Sequence, residues 1–191
     1  MVTEKQKIYS IIDYLKLEDR NEFKSEYEAG FIKAMSGGAL NHSIIGCNIN
    51  AALSHLIKEN NSPCTLFNSD AKVFIEQAES FVYPDSMVVC GEFELSSHDK
   101  NSLINPVLVI EVFSKSTEGY DRGDKFHKYC SLTSFKEYIL IDQYKPVVDI
   151  LFRENNSYWK MMTIIGMDQS IYINTLDVHI PMKDIYDRAV I

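Results

Sequence analysis

Val107-Leu108-Val109-Ile110-Glu111-Val112-Phe113 is apolar at every position but one. Its β-branched and aromatic side chains, entered through Pro106, read as a strand that asks to be buried. Downstream, Thr117 to Asp121 leads into a helix near 121–131 whose face carries Phe126, Tyr129 and Cys130. Strands resume at 137–142, 147–152, 157–165 and 170–173, with turn signals at Tyr144-Lys145-Pro146, Glu154-Asn155-Asn156 and Gly166, which suggests a meander. Upstream, a period of two gives strands at 64–68, 71–76 and 86–90, and the polar interval 94–105 reads as a loop. Before them, Ile45, Ile49, Ala52, Leu53 and Leu56 form one apolar helical stripe, capped by Asn41 and stopped by Pro63. Tyr27 to Met35 reads as a hairpin about Gly30, broken by Ser36-Gly37-Gly38, and residues 8–18 as a short N-terminal helix. Helix, mixed strands, helix and more strands make an α+β or mixed α/β layered fold. No repeat or linker divides residues 1–191, so a single domain is expected.

Composition narrows the function. The 191 residues are 46% hydrophobic and 24% charged, a globular balance. With 27 acidic against 19 basic residues the net charge is -8, so a phosphate-bearing partner must be met by a local patch, for which Lys115, Arg122, Lys125 and Lys128 are candidates. Cys47, Cys64, Cys90 and Cys130 include no Cys-x-x-Cys pair and are expected reduced and mostly buried. The start, Met1 to Lys7, lacks the apolar run of a signal peptide, and no stretch has the length of a membrane span, so a cytoplasmic protein without membrane contact is expected. Nucleotide-binding glycine loops, a Gly-x-Ser-x-Gly elbow and a His-Glu-x-x-His motif are absent from the sequence. The aromatic residues of 120–152 are expected in the core or on a sheet surface.

Two carboxylates stand out. Glu111 interrupts the apolar run, and an ionised carboxylate in such a setting costs several kcal/mol unless a cation, strong donors or a metal meets it. Asp85 follows Pro84 and opens the apolar strand Met87-Val88-Val89. Carboxylates converging from neighbouring strands repel each other unless a divalent cation lies between them, and hard oxygen donors suit Mg2+ or Mn2+. Each residue also has a structural reading, as a strand end or an ion pair for Glu111 and as a loop-to-strand transition for Asp85.

The string Tyr83-Pro84-Asp85-Ser86-Met87-Val88-Val89, then Asn105 to Thr117, then Tyr120-Asp121-Arg122-Gly123-Asp124-Lys125-Phe126 and Tyr129 resembles the Uma-type "putative restriction endonuclease" family of the PD-(D/E)XK nuclease superfamily. Glu26-Tyr27 with Gly30, Met35-Ser36-Gly37-Gly38, His42 and Ser69-Asp70 agree, so the resemblance covers roughly residues 20–150. It implies a restriction-endonuclease-like fold, a central mixed sheet flanked by helices, with Asp85 and Glu111 binding the metal. The superfamily's lysine two residues after the glutamate is replaced here by Phe113, and the resemblance implies that Lys125 on the next helix supplies it. Asp121, four residues before Lys125, offers it a surface ion pair instead. Glu26 matches a recurrent acidic position and is either a further catalytic carboxylate or part of a solvated charge run. Asp70 orders the site or caps a turn; His42, at a helix start, touches phosphate or water or is structural.

The expectation is a Mg2+- or Mn2+-dependent endonuclease that hydrolyses phosphodiester bonds of nucleic acid, DNA foremost. A homodimer would suit cutting both strands of a duplex. The alternative is a nuclease fold without catalysis, a nucleic-acid-binding or protein-interaction module.

Overall fold

The computed structural model describes residues 7–35, 37–156 and 158–191. Ser36, expected to help break the hairpin, and Ser157, expected to open a strand, lie outside the described residues, as do the first six. The architecture is mixed α+β. The larger sheet runs β11-β10-β9-β8-β6-β3, from β3 (Cys64–Asn68), β6 (Ser86–Cys90), β8 (Leu108–Phe113), β9 (Glu137–Asp142), β10 (Val147–Arg153) and β11 (Trp159–Ile165). Every pair is antiparallel except β8 with β9, which lie parallel because a helical crossover joins them. That crossover consists of α3 (Glu118–Tyr120), a π-helical turn at Asp121–Lys125 and α4 (Phe126–Cys130).

Alternation along β8 assigns its two faces. Leu108, Ile110 and Val112 pack with Ile45, Ile49 and Leu53 of α2 (Leu40–Glu59), whereas Val109 and Phe113 join Tyr129, Phe135 and Tyr138 beneath the crossover. Glu111 shares the parity of Val109 and Phe113, so it faces the crossover. The second sheet runs β2-β1-β5-β4-β7, from β1 (Ser25–Glu28), β2 (Phe31–Ala34), β4 (Lys72–Ile75), β5 (Ser80–Val82) and β7 (Ser102–Leu103). Val73, Ile75 and Val82 contribute to the crossover-side core, and α1 (Ile11–Glu18) covers an aromatic cluster of Tyr14, Tyr27, Phe74 and Phe81. The β1–β2 turn works because Ala29 and Gly30 both take positive φ, 44° and 98°. β12 (Ser170–Ile173) pairs with β13 (Val178–Pro181), so only the first three strands of the expected meander share one sheet. The short α5 (Met182–Ile185) then packs beside α2 in the core.

Several local expectations are corrected. Asn41 lies inside α2, whose N-cap is Ala39, and its amide spans to the carbonyls of Gln143 and Val190. The interval 94–105 contains β7, paired parallel to β4. Cys64 and Cys90 are bonded as a disulfide, Cys47 is exposed and Cys130 half-buried, so the four cysteines are neither all reduced nor mostly buried. The cause is register: antiparallel pairing of β3 with β6 sets Cys64 opposite Cys90, and a separation of 26 residues gives no hint of it. Cysteine usage therefore gives no support to the cytoplasmic expectation. Among the described residues, no helix is long and apolar enough to cross a membrane. Closing a loop of this length is worth about 3.5 kcal/mol in the oxidised protein. Thermal melts should therefore show a lower midpoint after reduction, and Cys90→Ser should erase the difference. Equal midpoints with and without reductant in the wild type would contradict the bond.

Candidate active site

The C-terminal ends of the parallel strands β8 and β9, the N-terminus of α2, the β1–β2 hairpin and the π-helical turn enclose a cavity of about 350 Å3. Glu26, His42, Asp85, Glu111 and Lys125 all line it. Ligands gather at the carboxyl ends of parallel strands because the following loops diverge there.

Asp85 stands at the entry to β6, and its Oδ2 accepts hydrogen bonds from the Val112 amide at 2.7 Å and His42 Nε2 at 3.0 Å. The Asp85 amide in turn donates to Glu111 Oε2 at 3.4 Å, tying the two carboxylates together. Glu111 is 3% exposed. Lys125 Nζ comes to 2.7 Å of Glu111 Oε1 and 3.5 Å of Glu26 Oε1, and it donates to the Tyr83 carbonyl at 3.1 Å. The Lys125–Glu111 contact is a buried charge-assisted pair, so Glu111 Oε1 already faces a cation. Glu26 accepts from the Tyr83 amide at 3.2 Å and from the Tyr120 hydroxyl at 3.2 Å. β1 thus brings Glu26 into the same buried charge cluster and out of a solvated run.

Burial raises the Glu111 carboxyl well above the ordinary carboxylate range; Lys125 opposes this, and the negative charges of Asp85 and Asp121 add to it. For Lys125, burial works against the ammonium, yet Glu111 and Glu26 outweigh it and hold the pKa well above that of a free lysine. Lys125 is therefore a fixed cation and not a proton donor near neutrality. The hydrogen bond to Asp85 raises the His42 pKa, against an opposing effect of burial. Histidine raised in the folded state contributes stability that is fully present below about pH 6.5 and is lost as pH climbs through the folded value. The imidazole resonances of His42 should accordingly titrate with a midpoint above 6.5, lowered by Asp85→Asn. A wild-type midpoint at or below 6.5 would show that the pair is not formed. Gly38 lets the loop close over this histidine, because a Cβ there would lie 2.7 Å from His42 Nδ1.

Two expected residues are not brought to this cavity. Asp70 is in a turn, its side chain 77% exposed and paired with Lys24 at 2.7 Å. Arg122 pairs with Asp149 at 2.6 Å and Glu118 at 3.0 Å and covers the Phe113 ring, clamping the crossover to β10. Lys128 is likewise paired, with Glu28 at 2.7 Å. Three of the four patch candidates are thus committed to acidic partners. Phe113 is buried in the aromatic core, which explains why a cation reaches Glu111 from the helix and not from the strand. Asp121, read only as a surface partner for Lys125, is itself buried and lines the cavity, as do Tyr120 and Gln143.

A profile of the Uma2 family, described as "Putative restriction endonuclease", matches residues 11–182. The chain belongs to the Uma2 family. Two uncharacterized proteins of Synechocystis sp. are similar to it. One is 29% identical over 178 residues, covering 93% of this chain and 99% of the relative. The other is 32% identical over 158 residues, covering 82% and 80%. The crystal structure of a putative nuclease belonging to DUF820 from Anabaena variabilis superposes with a TM-score of 0.75 at 17% identity, covering 95% of this chain and 99% of that one. The likeness shows a shared fold, in line with the restriction-endonuclease-like architecture expected of Uma2 members.

Among the described residues, no group of three His, Cys, Asp or Glu side chains is arranged to hold a metal. The donors present nevertheless fit a small hard cation. Mg2+ retains several waters and takes only one or two protein carboxylates, with substrate phosphate completing its shell. Asp85 and Glu111 are two such carboxylates lining one cavity, and the Lys125 ammonium at 2.7 Å marks Glu111 Oε1 as an oxygen that faces a cation.

Proposed function

We propose that this Uma2 protein is a divalent-metal-dependent phosphodiester hydrolase acting on nucleic acid, DNA foremost. The observation that carries the reading is the convergence of Asp85, Glu111 and Lys125 on one cavity, with the Lys125 ammonium 2.7 Å from the buried Glu111 Oε1. A cation held by Asp85 and Glu111 would polarise the scissile phosphate and lower the pKa of a bound water.

The chain's own residues supply the rest. His42 and the Val112 amide fix Asp85, and the Asp85 amide steadies Glu111, so both carboxylates enter the reaction already oriented. Lys125, anchored by the Tyr83 carbonyl and flanked by Glu26, keeps its positive charge where negative charge grows on the phosphate. Glu26, held by Tyr83 and Tyr120, positions Lys125 and stays outside the metal's donor pair. A second reading, a binding module without catalysis, draws on the buried Lys125–Glu111 pair, because a closed ion pair occupies the oxygen that a metal would use. Incubation of supercoiled plasmid and single-stranded circles with Mg2+ or Mn2+ separates the two. Nicking or linearisation that chelator abolishes supports hydrolysis; intact substrates with retained nucleic-acid binding would favour the module.

A further inference from the structure

Beyond the metal-binding carboxylates, the cavity has a wall that the hydrolytic chemistry does not use. β8 and β9 end side by side in parallel register, Phe113 opposite Asp142, so Gln143 and Tyr144 emerge at the same sheet end as Glu111. Gln143 lines the cavity and is 1% exposed; its Nε2 donates to the Phe113 carbonyl at 3.3 Å, while its Oε1 is buried without a hydrogen-bond partner among the described residues. A buried amide oxygen left in this state is destabilising, and a ligand N–H would satisfy it. Beside it, Tyr144 is 47% exposed on the cavity rim, its backbone fixed by a 2.8 Å hydrogen bond to Asp142 Oδ1. Lys115 places its ammonium 5.4 Å from the Tyr144 ring centre. Tyr144 therefore departs from the expectation that aromatic residues of this region serve core or sheet surface.

A flat exposed ring, an acceptor lacking a donor and a cation together match one chemical class. We propose that Gln143, Tyr144 and Lys115 form a subsite for an unpaired nucleobase, so that the substrate enters the cavity as a single strand or a frayed end. The inference rests on the reading of the cavity as a nucleic-acid site. The Tyr144 ring stacks on the base, Gln143 Oε1 accepts a base N–H, and Lys115 meets the adjoining phosphate. Within a duplex the base faces are stacked on their neighbours, so the ring contact is not available. Charge agrees. Arg122 and Lys128 are tied to acidic partners, while Lys33 lines the cavity and Lys115 lies beside the rim residue Tyr144, a sparse set of cations for following a duplex backbone on a chain of net charge -8.

Fluorescence anisotropy on the full chain, in Ca2+ to hold off cleavage, compares a labelled mixed-sequence single strand with the same strand in a blunt duplex. The single strand is expected to bind at least about tenfold more tightly, and Tyr144→Ala to weaken it by about 5- to 150-fold, whereas Tyr144→Phe stays within about twofold of wild type. Gln143→Met, of similar volume, is expected to lose affinity for the single strand without unfolding, as checked by its thermal melt. Equal or tighter duplex binding, or an unchanged affinity in Tyr144→Ala, would overturn the subsite. The two readings fail separately. Single-strand preference that depends on Tyr144, with no cleavage of any substrate, would retain the subsite and sink the hydrolase; duplex cleavage indifferent to Tyr144→Ala would do the reverse.

Discussion

Glu111→Gln is expected to lower metal-dependent cleavage by about a thousandfold or more, the loss of roughly 4 kcal/mol of transition-state stabilisation that follows when a metal ligand is neutralised. The side chain keeps its volume and its place on β8, so the change removes charge and little else. Its effect on the metal-free fold follows from the pairing. Relief of the repulsion between Asp85 and Glu111 favours the variant, but Lys125 loses its 2.7 Å partner and keeps only Glu26 at 3.5 Å and the Tyr83 carbonyl. The loss wins, because a buried ammonium is more sensitive to its partner than a carboxylate is to a neighbour already held by an amide. The melting point of Glu111→Gln should therefore fall by an amount worth about 1–3 kcal/mol, while circular dichroism stays native. Asp85→Asn should lose cleavage to a similar degree. Full cleavage in either variant at ordinary Mg2+ would remove the two-carboxylate site.

Lys125→Met carries the second large effect, and its two readouts move in opposite directions. Turnover is expected to drop about 100- to 1000-fold, because a fixed positive charge beside the scissile phosphate is removed while the apolar stem remains. Metal affinity is expected to hold or rise, since the ammonium no longer competes for Glu111 Oε1. In the absence of metal the variant loses about 3–5 kcal/mol of stability, because Glu111 and Glu26 are left buried without their cation. Added Mg2+ should restore part of that loss and raise the melting point of the variant more than that of the wild type. Unchanged turnover would take Lys125 out of the reaction and leave the binding-module reading in front.

How much of this was legible depended on the range of the interaction. The β8 strand, the α2 stripe and the hairpin about Gly30 announce themselves through local periodicity and turn chemistry, and each stands close to where its residues place it. Elements such as β5, β7 and α5 are too short to carry a period, so the sequence offers little to read there. The Cys64–Cys90 bond and the bridge from Asn41 to Val190 depend on pairing between distant segments, which no local pattern encodes.

The site divides in the same way. A carboxylate inside an apolar run and another after a proline are chemical anomalies visible from composition alone, and the structure lines one cavity with both. Glu26 and Lys125 stood out only through family resemblance, since each is surrounded by ordinary charged residues. Arg122 looked like a substrate contact because the sequence does not reveal that Asp149, on β10, lies opposite it. Asp121 was hidden by its spacing from Lys125, which suggests a surface pair; the π-helical turn instead buries both residues against the carboxylates. Gln143 gave no signal whatever, because an unsatisfied amide oxygen is a property of packing.

The proposed pairing of Asp85 and Glu111 on a divalent cation is tested by isothermal titration of the metal-free protein with Mn2+. One binding site per chain is expected, abolished by Glu111→Gln and by Asp85→Asn and retained or strengthened in Lys125→Met. Mn2+ binding of wild-type strength in folded Glu111→Gln, or none in the wild type, would contradict it.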